Sequence, residues 1–283
     1  MTARLQVGVF VTPDATDPER TLAQLVAADE AGLDVVGVQD HPYQRRFFDT
    51  WTLLSYVAAQ TERVRLVPDV ASLPLRPPAM LAKAAASLDV LSGGRVELGL
   101  GAGTFWDAIE AMGGPQRSPG VAVEALEEAI AVLRGWFRGE RSLRLDGRHY
   151  RVVGARPGPP PAHPIGLWIG GYKPRMLRLT GRLGDGWLPT VGYLDLADAH
   201  DSHRVIDEAA RRAGRNPGEV RRVLNAGVEG SASSWAGQLA RLATDYRFDT
   251  VLVSVPAGDD EDPVGFIHRL GEDAAPAARA QVG

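Results

Sequence analysis

Three closely spaced glycines mark a stretch where the backbone could approach a ligand. In LSGGRVELGLGAGTFW, residues 91–106, Gly99, Gly101 and Gly103 follow an apolar run that predicts a strand. A dinucleotide-binding fingerprint would read G-x-G-x-x-G, open a helix and occupy the first strand–helix unit. Here the spacing is G-x-G-x-G, position 104 is Thr, and the predicted strand is the fourth. The pattern argues against that fingerprint and leaves two alternatives, close packing of strands or a cofactor loop.

A second glycine pair precedes a predicted helix. In WIGGYKPRML, Gly170 and Gly171 end a predicted strand, Lys173 follows, and Pro174 opens the helix. Free N–H groups at a helix start, together with a nearby cation, favour an anion such as phosphate. The alternative is a plain strand–turn–helix with a proline at its first helical position.

A third candidate lies after the second predicted strand, in VQDHPYQRR, where Asp40 and His41 are adjacent. Histidine exchanges a proton near neutral pH, and barrel enzymes place catalytic groups at the carboxyl ends of strands. A lone histidine is more often structural, but this position favours function. Five aromatic residues lie on the same loop or on the glycine loop: Tyr43, Phe47, Phe48, Phe105 and Trp106. They predict an apolar wall of the pocket, and the alternative is that they pack against the barrel rim.

Other chemistries have weaker signals. His200, His203 and Asp207 have spacing that could hold a metal on one helix, but we expect this to be a solvated helix face and predict no metal site. No G-x-S-x-G elbow for a serine hydrolase is present.

Strand and helix signals alternate along the chain. We predict eight strands, at Leu5–Phe10, Asp34–Val38, Arg63–Val70, Val96–Leu100, Ile165–Gly171, Asp185–Thr190, Val220–Gly230 and Thr250–Val255. The helices between them are predicted at Pro18–Ala31, Asp49–Thr61, Pro77–Arg95, Val121–Phe137, Pro174–Leu183, Leu196–Ala213 and Ser234–Tyr246, with a last one near Pro263–Leu270 and a frayed tail.

This alternation predicts an α/β fold, a (β/α)8 TIM barrel forming a single domain over residues 1–283. A doubly wound sheet is the alternative. An insertion at about 139–161 interrupts the alternation, with a hairpin expected around Asp146–Gly147.

Composition restricts the function classes. The chain has 283 residues, a net charge of -4 and no cysteine, so disulfides and thiolate metal sites are excluded. No basic stripe indicates a nucleic-acid partner, and no apolar run reaches the length of a membrane span. We expect a cytoplasmic protein whose partner is a small-molecule substrate.

Taken together, these stretches resemble the bacterial luciferase-like flavin-dependent oxidoreductases, and within them the branch that uses the deazaflavin coenzyme F420. One matching piece is TERVRLVPDVASLPLRPPAMLAKAAASLDVLSGGRVELGLGAG, and its part from PLRPPAMLAKAAASLDVLSGGR through GLGAG is the most specific. The matching pieces cover most of the chain and include VGVFVTP, GLDVVGVQDHPY, EALEEAIAVLRGWF, GLWIGGYKPRMLRLTGRLGDGWLP and RFDTVLVSV. The family fold is a (β/α)8 barrel with insertions, and the family favours homodimers.

The resemblance implies roles for particular residues. Asp40 would touch the edge of the cofactor ring, and His41 would accept or donate the substrate's proton. A non-prolyl cis peptide behind the ring would fall at Val70–Ala71, counting back from Pro74. The loop along the cofactor's chain would be Ala102, Gly103 and Thr104, and the phosphate site would be Gly170, Gly171, Lys173 and Pro174.

The expected reaction is hydride transfer between C5 of the deazaflavin and a small organic substrate. One departure restricts the substrate: sugar-phosphate dehydrogenases of this family carry a Glu where this chain has Thr104, which argues against that activity. The alternatives are an FMN-dependent monooxygenase, a non-catalytic cofactor-binding protein, and a hydrolase or lyase without a redox cofactor.

Overall fold

The computed structural model describes residues 4–256, 258 and 262–283. Its first half contains β1 (Gln6–Val11), α1 (Pro18–Glu30), β2 (Val35–Val38), α2 (Thr50–Ala58), β3 (Arg65–Pro68), β4 (Ala71–Ser72), α3 (Pro78–Leu91), β5 (Leu98–Gly101), α4 (Trp106–Ala111) and α5 (Pro119–Phe137). Its second half contains β6 (Leu143–Asp146), β7 (Arg151–Ala155), β8 (Leu167–Ile169), α6 (Pro174–Leu183), β9 (Gly186–Trp187), α7 (Ala199–Arg212), β10 (Arg221–Ala226), α8 (Ala232–Thr244), β11 (Thr250–Ser254), α9 (Pro263–His268) and α10 (Ala275–Val282).

The parallel strands form a barrel with a broken third strand. The pairing order is β3-β2-β1-β11-β10-β9-β8-β5-β4, and β3 and β4 are two segments of the same stretch of chain. Because β3 pairs with β2 and β4 pairs with β5, this stretch closes the sheet on itself. A parallel bridge between Leu66 and Val96 adds to the closure. Counted over the described residues, eight strands surround the axis, which confirms the barrel and rejects the doubly wound sheet.

Strand composition explains the barrel's interior. Strands buried on both faces read as continuous apolar runs, as VVGV in β2 does. One buried cluster contains Val35, Val67, Trp168, Leu188, Val223 and Leu252, with Phe10 and Val70 packed against it. A Cβ on Gly99 would lie only 2.3 Å from the Pro68 carbonyl oxygen, so this glycine permits close approach of neighbouring strands.

The expected hairpin is present between α5 and β8. Strands β6 and β7 pair antiparallel, and the Gly147 N–H donates to the Tyr150 carbonyl across the turn. The Glu128 carboxylate of α5 accepts hydrogen bonds from the N–H groups of Arg148, His149 and Tyr150. This carboxylate attaches the hairpin to the outside of the barrel.

The expected frayed tail is wrong. After α9 a π-helical turn, Arg269–Ala274, leads directly into α10. Ala274, Ala275 and Ala278 are fully buried or nearly so, because their small side chains allow the helix to pack closely. The Arg279 guanidinium also binds the Asp34 carboxylate at 2.6 Å and the Leu5 carbonyl at 3.1 Å. Alanine-rich composition was mistaken for disorder where it allows close packing.

Among the residues that the structure describes, no helix is both long enough and apolar enough to cross a membrane.

The packing of α10 predicts different effects at neighbouring alanines. Ala278→Asp buries a carboxylate without a partner and should lower the free energy of unfolding by about 3 kcal/mol. Ala277→Asp, at an exposed position of the same helix turn, should change it by less than about 0.5 kcal/mol. Urea unfolding followed by circular dichroism measures both. Equal effects would mean that α10 does not pack as described.

Candidate active site

Asp40 is anchored beneath the carboxyl end of the barrel. Its side chain is 1 % exposed and lies on the loop after β2. One carboxylate oxygen accepts from the Ser72 N–H at 2.9 Å and from Arg76 Nε at 2.6 Å, and the other accepts from Arg76 Nη2 at 2.6 Å. Arg76 also binds Asp49 at 2.7 Å, at the start of α2. Asp40 therefore joins the loops that follow the second and third strands.

His41 is held among aromatic rings. It stacks on Tyr43 with a centroid distance of 5.5 Å and meets Phe105 edge-on at 5.6 Å. No hydrogen-bond partner for its imidazole occurs among the residues described. Burial lowers the pKa of His41, and the Asp40 carboxylate offsets this only in part. The imidazole is therefore neutral at pH 7 and able to accept a proton.

Tyrosines extend this aromatic enclosure around the barrel mouth. Burial, followed by the charges of Asp40 and Tyr193, raises the pKa of Tyr43 to about 12, so its phenol keeps its proton. Tyr172 stacks on Tyr193 with centroids 5.8 Å apart. Phe105 is 46 % exposed and lies between His41 and the solvent-facing rim.

Two of the other aromatics predicted to line the pocket take packing positions. Phe47 forms an antiparallel bridge with Asp14, and Phe48 packs against the hydrophobic core. The Trp106 ring packs against Gly103, so closely that a Cβ added to this glycine would lie 2.6 Å from the ring.

Val70 forms a platform within the barrel mouth. Its side chain lies so close to Gly99, Gly101 and Gly170 that Cβ atoms on these glycines would fall 3.1, 2.8 and 3.3 Å from Val70 methyl carbons. These glycines lie on β5 or directly after β8, on the far side of the third strand. Their lack of side chains lets Val70 fill the space between the strands.

The predicted cis peptide at Val70–Ala71 is wrong by one residue, because the structure has it at Asp69–Val70. The Asp69 N–H still donates to the Val38 carbonyl at 2.7 Å, and Ala71 already pairs with Leu100 on β5. The irregular step therefore falls between these two pairings, and counting back from Pro74 placed it one bond too late.

The glycine loop is shaped by its own neighbours. Gly103 has φ +104°, and a Cβ there would meet Trp106 at 2.6 Å and Pro74 at 2.7 Å. Ala102 packs against the core, whereas Thr104 is exposed. A cavity of about 430 Å³ lies along the loop, lined by Thr104, Phe105, Trp106, Asp107 and Ala108.

The second glycine pair precedes α6 as predicted. The Gly171 carbonyl accepts from Trp187 Nε1 at 2.8 Å, which fixes the turn. Lys173 is the exposed N-cap residue, and Pro174 takes the first helical position. Lys173 has no ion-pair partner within the described part of the chain. The helix start thus presents a free cation and unpaired N–H groups to solvent.

Sequence reasoning missed a buried polar pair, Asp69 and Asn225. Asn225 Nδ2 donates to Asp69 Oδ1 at 3.1 Å and to Thr190 Oγ1 at 3.2 Å. Burial raises the pKa of Asp69 to about 7, against the lowering effect of the Asn225 hydrogen bond. The available signal was an aspartate inside a run otherwise predicted as a buried strand.

His203 and Asp207 do not lie on a solvated face, contrary to expectation. His203 is fully buried, accepts from Arg222 Nε through Nδ1 at 3.0 Å and contacts the Tyr246 carbonyl through Nε2 at 2.8 Å. Arg222 also binds Asp207 at 2.5 Å. Burial, followed by the Arg222 charge, lowers the pKa of His203 to about 4. Arg222 is near the start of β10, away from the barrel mouth, so the cluster is structural.

No group of three or more potential ligands with metal-binding geometry occurs among the residues that the structure describes.

The fold and the cluster at the carboxyl ends of its strands define a (β/α)8-barrel protein of the kind that binds its ligands at that face. The family model for luciferase-like monooxygenases matches residues 3–234, and the chain belongs to this family. A curated relative, the F420-dependent glucose-6-phosphate dehydrogenase of Intrasporangium calvum, is 30% identical over 228 residues, which are 78% of this chain and 68% of the relative.

Solved structures share the fold at low sequence identity. An F420-dependent secondary alcohol dehydrogenase in complex with an F420-acetone adduct superposes with a TM-score of 0.82 at 18% identity, covering 97% of this chain and 99% of the other. The FMN complex of the oxygenating constituent of 3,6-diketocamphane monooxygenase from Pseudomonas putida gives 0.76 at 17% identity, covering 96% and 98%.

The Asp40–Arg76 pair predicts a large stability loss when it is broken. Arg76→Met leaves a buried carboxylate without its cation and should lower the free energy of unfolding by about 3–5 kcal/mol. The control is Arg46→Met, which breaks the Arg46–Asp14 pair at 2.9 Å, whose arginine is 68% exposed. That loss should not exceed about 1 kcal/mol. Urea unfolding measures both.

Removing the Asp40 carboxylate, which Arg76→Met leaves without a cation, provides a second check. Asp40→Asn combined with Arg76→Met should recover part of the loss, since no buried carboxylate remains. If Arg76→Met and Arg46→Met lowered the free energy of unfolding equally, the role given to Arg76 would be contradicted.

Proposed function

We propose that this chain is an F420-dependent oxidoreductase that transfers a hydride between C5 of the deazaflavin and a small organic substrate. The carrying observation is the neutral imidazole of His41, enclosed by Tyr43 and Phe105 at the barrel mouth. The names of the curated relative and of the structural neighbour support F420 as the cofactor.

The residues at the mouth fit such a cofactor. Val70 and Ala71 would lie behind its ring. The glycines that face Val70 on β5 and after β8 have no side chains that would block the ring. Ala102, Gly103 and Thr104 would follow its chain. The phosphate would lie at the start of α6, near Gly170, Gly171, Lys173 and Pro174, where N–H groups and a cation favour an anion.

The deazaflavin would supply two-electron hydride chemistry, and the protein would supply orientation and proton transfer. In alcohol oxidation, a His41 imidazole nitrogen takes the hydroxyl proton as the substrate's C–H hydride leaves. In the reverse direction, the imidazolium returns that proton. Asp40, proposed to reach the ring edge, holds the His41 loop through Arg76. Tyr43 and Phe105 exclude water beside the imidazole.

The substrate proposal is restricted by Thr104. The curated relative is named for glucose 6-phosphate, but Thr104 is exposed and cannot act as a carboxylic acid. We therefore propose a small organic substrate with one reacting C–O, C=N or C=C group.

FMN is the second candidate cofactor. The structural neighbour from Pseudomonas putida, which holds FMN, favours this alternative. A non-catalytic cofactor-binding protein would use the same platform and helix start without turnover.

We also propose a homodimer in the cytoplasm. Four apolar side chains on α2 and α3 are exposed and support association through these helices: Tyr56, Met80, Val90 and Leu91. Light scattering of the purified chain would test for the dimer.

Cofactor choice is tested by calorimetric titration of the apo-protein with F420 and, separately, with FMN. We expect a Kd in the micromolar range or tighter for F420, and binding of FMN at least about tenfold weaker, a difference of about 1.4 kcal/mol. Preferential FMN binding would select the monooxygenase. Binding of neither would overturn the redox function.

His41→Asn should lower turnover by about 10²–10⁴-fold, the usual contribution of a general acid–base group, while leaving the Kd for F420 within about threefold. Rates are followed by deazaflavin absorbance with the best substrate from a panel of small alcohols, imines and enones. His200→Asn, at an exposed position, is the control and should keep wild-type turnover.

The pH profile gives a further check on the same residue. Because His41 must be neutral to accept a proton, kcat/KM for alcohol oxidation should rise with pH through a pKa below 6.5 and then stay level. Near-normal turnover in His41→Asn would remove His41 from the mechanism.

A further inference from the structure

Asp69 and Asn225 form a buried, hydrogen-bonded pair in which each side chain keeps one polar atom that no described residue satisfies. Asp69 is 7% exposed and Asn225 is 1% exposed. Among the described residues, neither Asp69 Oδ2 nor Asn225 Oδ1 has a hydrogen-bond partner. Buried polar atoms are almost always paired, so two exceptions in one hydrogen-bonded pair indicate a ligand or water that completes them.

The groups that face Asp69 from β2, from β10 and from Tyr172 after β8 carry no charge at pH 7. From β2, Gly37 lies so close that a Cβ there would fall 2.8 Å from Asp69 Oδ2 and 2.9 Å from Leu252 of β11. Asn225 comes from β10. Tyr172, after β8, is the titratable group that senses the Asp69 charge, and burial raises the pKa of its phenol. No cation lies within ion-pair distance of Asp69 in the part of the chain described.

A buried carboxyl without a cation holds its proton. Asp69 Oδ1 accepts from Asn225, so the proton belongs on Oδ2, which is then a donor without a partner among the described residues. Asn225 Nδ2 donates to both Asp69 and Thr190, which leaves Oδ1 as a free acceptor. The hydrogen-bonded pair thus offers one donor and one acceptor.

This arrangement is complementary to a cyclic imide, in which a carbonyl adjoins an N–H. Deazaflavin and flavin rings both carry such a pyrimidinedione edge. The position also agrees, because Asp69 directly precedes Val70, the platform on which the ring is proposed to lie.

We propose that Asp69 and Asn225 bind the pyrimidinedione edge of the cofactor ring, with the Asp69 carboxylic acid donating to a ring carbonyl and Asn225 Oδ1 accepting from the ring N–H. This assignment rests on the proposed function. It makes binding depend on a proton held by the protein, since an ionised Asp69 would oppose the carbonyl oxygen.

The test is calorimetric titration with F420 at pH 6.0, 7.0 and 8.5. For the wild type, Kd should rise about tenfold per pH unit above pH 7, as expected when one proton is required. Asp69→Asn keeps the same donor and acceptor pattern without a titrating group. It should bind within about threefold of the wild type at pH 6.0 and keep that affinity at pH 8.5.

Asp69→Asn also serves as the matched control. Ionisation of the cofactor and of His41 is common to both proteins, so the ratio of their Kd values isolates Asp69. Asp69→Leu, which offers no donor, should raise Kd at pH 6.0 by about tenfold or more. Thermal unfolding of each variant checks that it is folded, and Asn225→Leu replaces Asp69→Leu if the latter is not.

Parallel pH profiles for the wild type and Asp69→Asn, or wild-type affinity in Asp69→Leu, would overturn the assignment and leave the pair as a buried-water site. Failure of the wild type to bind F420 or FMN at any pH is a distinct outcome. It would overturn the proposed function and this assignment with it.

Discussion

The break in the third strand is the constraint on which the candidate site depends. Up to Asp69 the chain pairs with β2, and from Ala71 it pairs with β5. The third strand must therefore pair with β2 along its first part and with β5 along its second part to close the barrel. Asp69 and Val70 lie between these two parts, at the barrel mouth. Directly after this step, the Ser72 N–H reaches Asp40 and Arg76 completes the contact. The platform, the buried acid and the support for the His41 loop thus come from eight consecutive residues.

Two carboxyl groups near this break are buried by opposite means. Asp40 is surrounded by a bidentate guanidinium and an N–H group, which hold its carboxylate by three hydrogen bonds. Among the described residues, Asp69 has only the Asn225 amide as a hydrogen-bond partner, and burial raises its pKa to about 7. A paired carboxylate fixes loop geometry, whereas an unpaired acid stays available as a donor. The same residue type therefore has different roles at the two positions, because Asp40 has a paired cation and Asp69 has none among the described residues.

The periodic part of the fold was predictable because strand and helix signals are local. The alternation identified the barrel, and every predicted barrel strand is present with ends shifted by a few residues. Long-range features were not predictable in this way. The burial of His203 depends on Arg222, nineteen residues away, and the packing of α10 depends on its contacts with α8. The cis peptide was misplaced because the pairing partners of Asp69 and Ala71 are fixed by neighbouring strands.

The same limit applies to the candidate site. Asp40, His41 and the glycines carry short-range patterns that a single sequence displays. Asp69 and Asn225 are 156 residues apart, and neither has a motif around it. What joins them is strand order: β3 and β10 face each other across the barrel axis only because six other strands complete the circle. Their chemistry therefore belongs to the closed barrel and to no segment of it.

The enclosure of His41 bears on which substrates the site can accept. Its ring neighbours are Tyr43 and Phe105, so the reacting group would lie among aromatic surfaces. A polyhydroxylated substrate would lose hydrogen bonds to water there without regaining them, at a cost of about 1–3 kcal/mol for each unpaired group. A small apolar substrate with one polar reacting group would place that group against His41 and bury the rest. The aromatic contacts and the exposed Thr104 thus argue in the same direction, away from sugars and toward compact, weakly polar molecules.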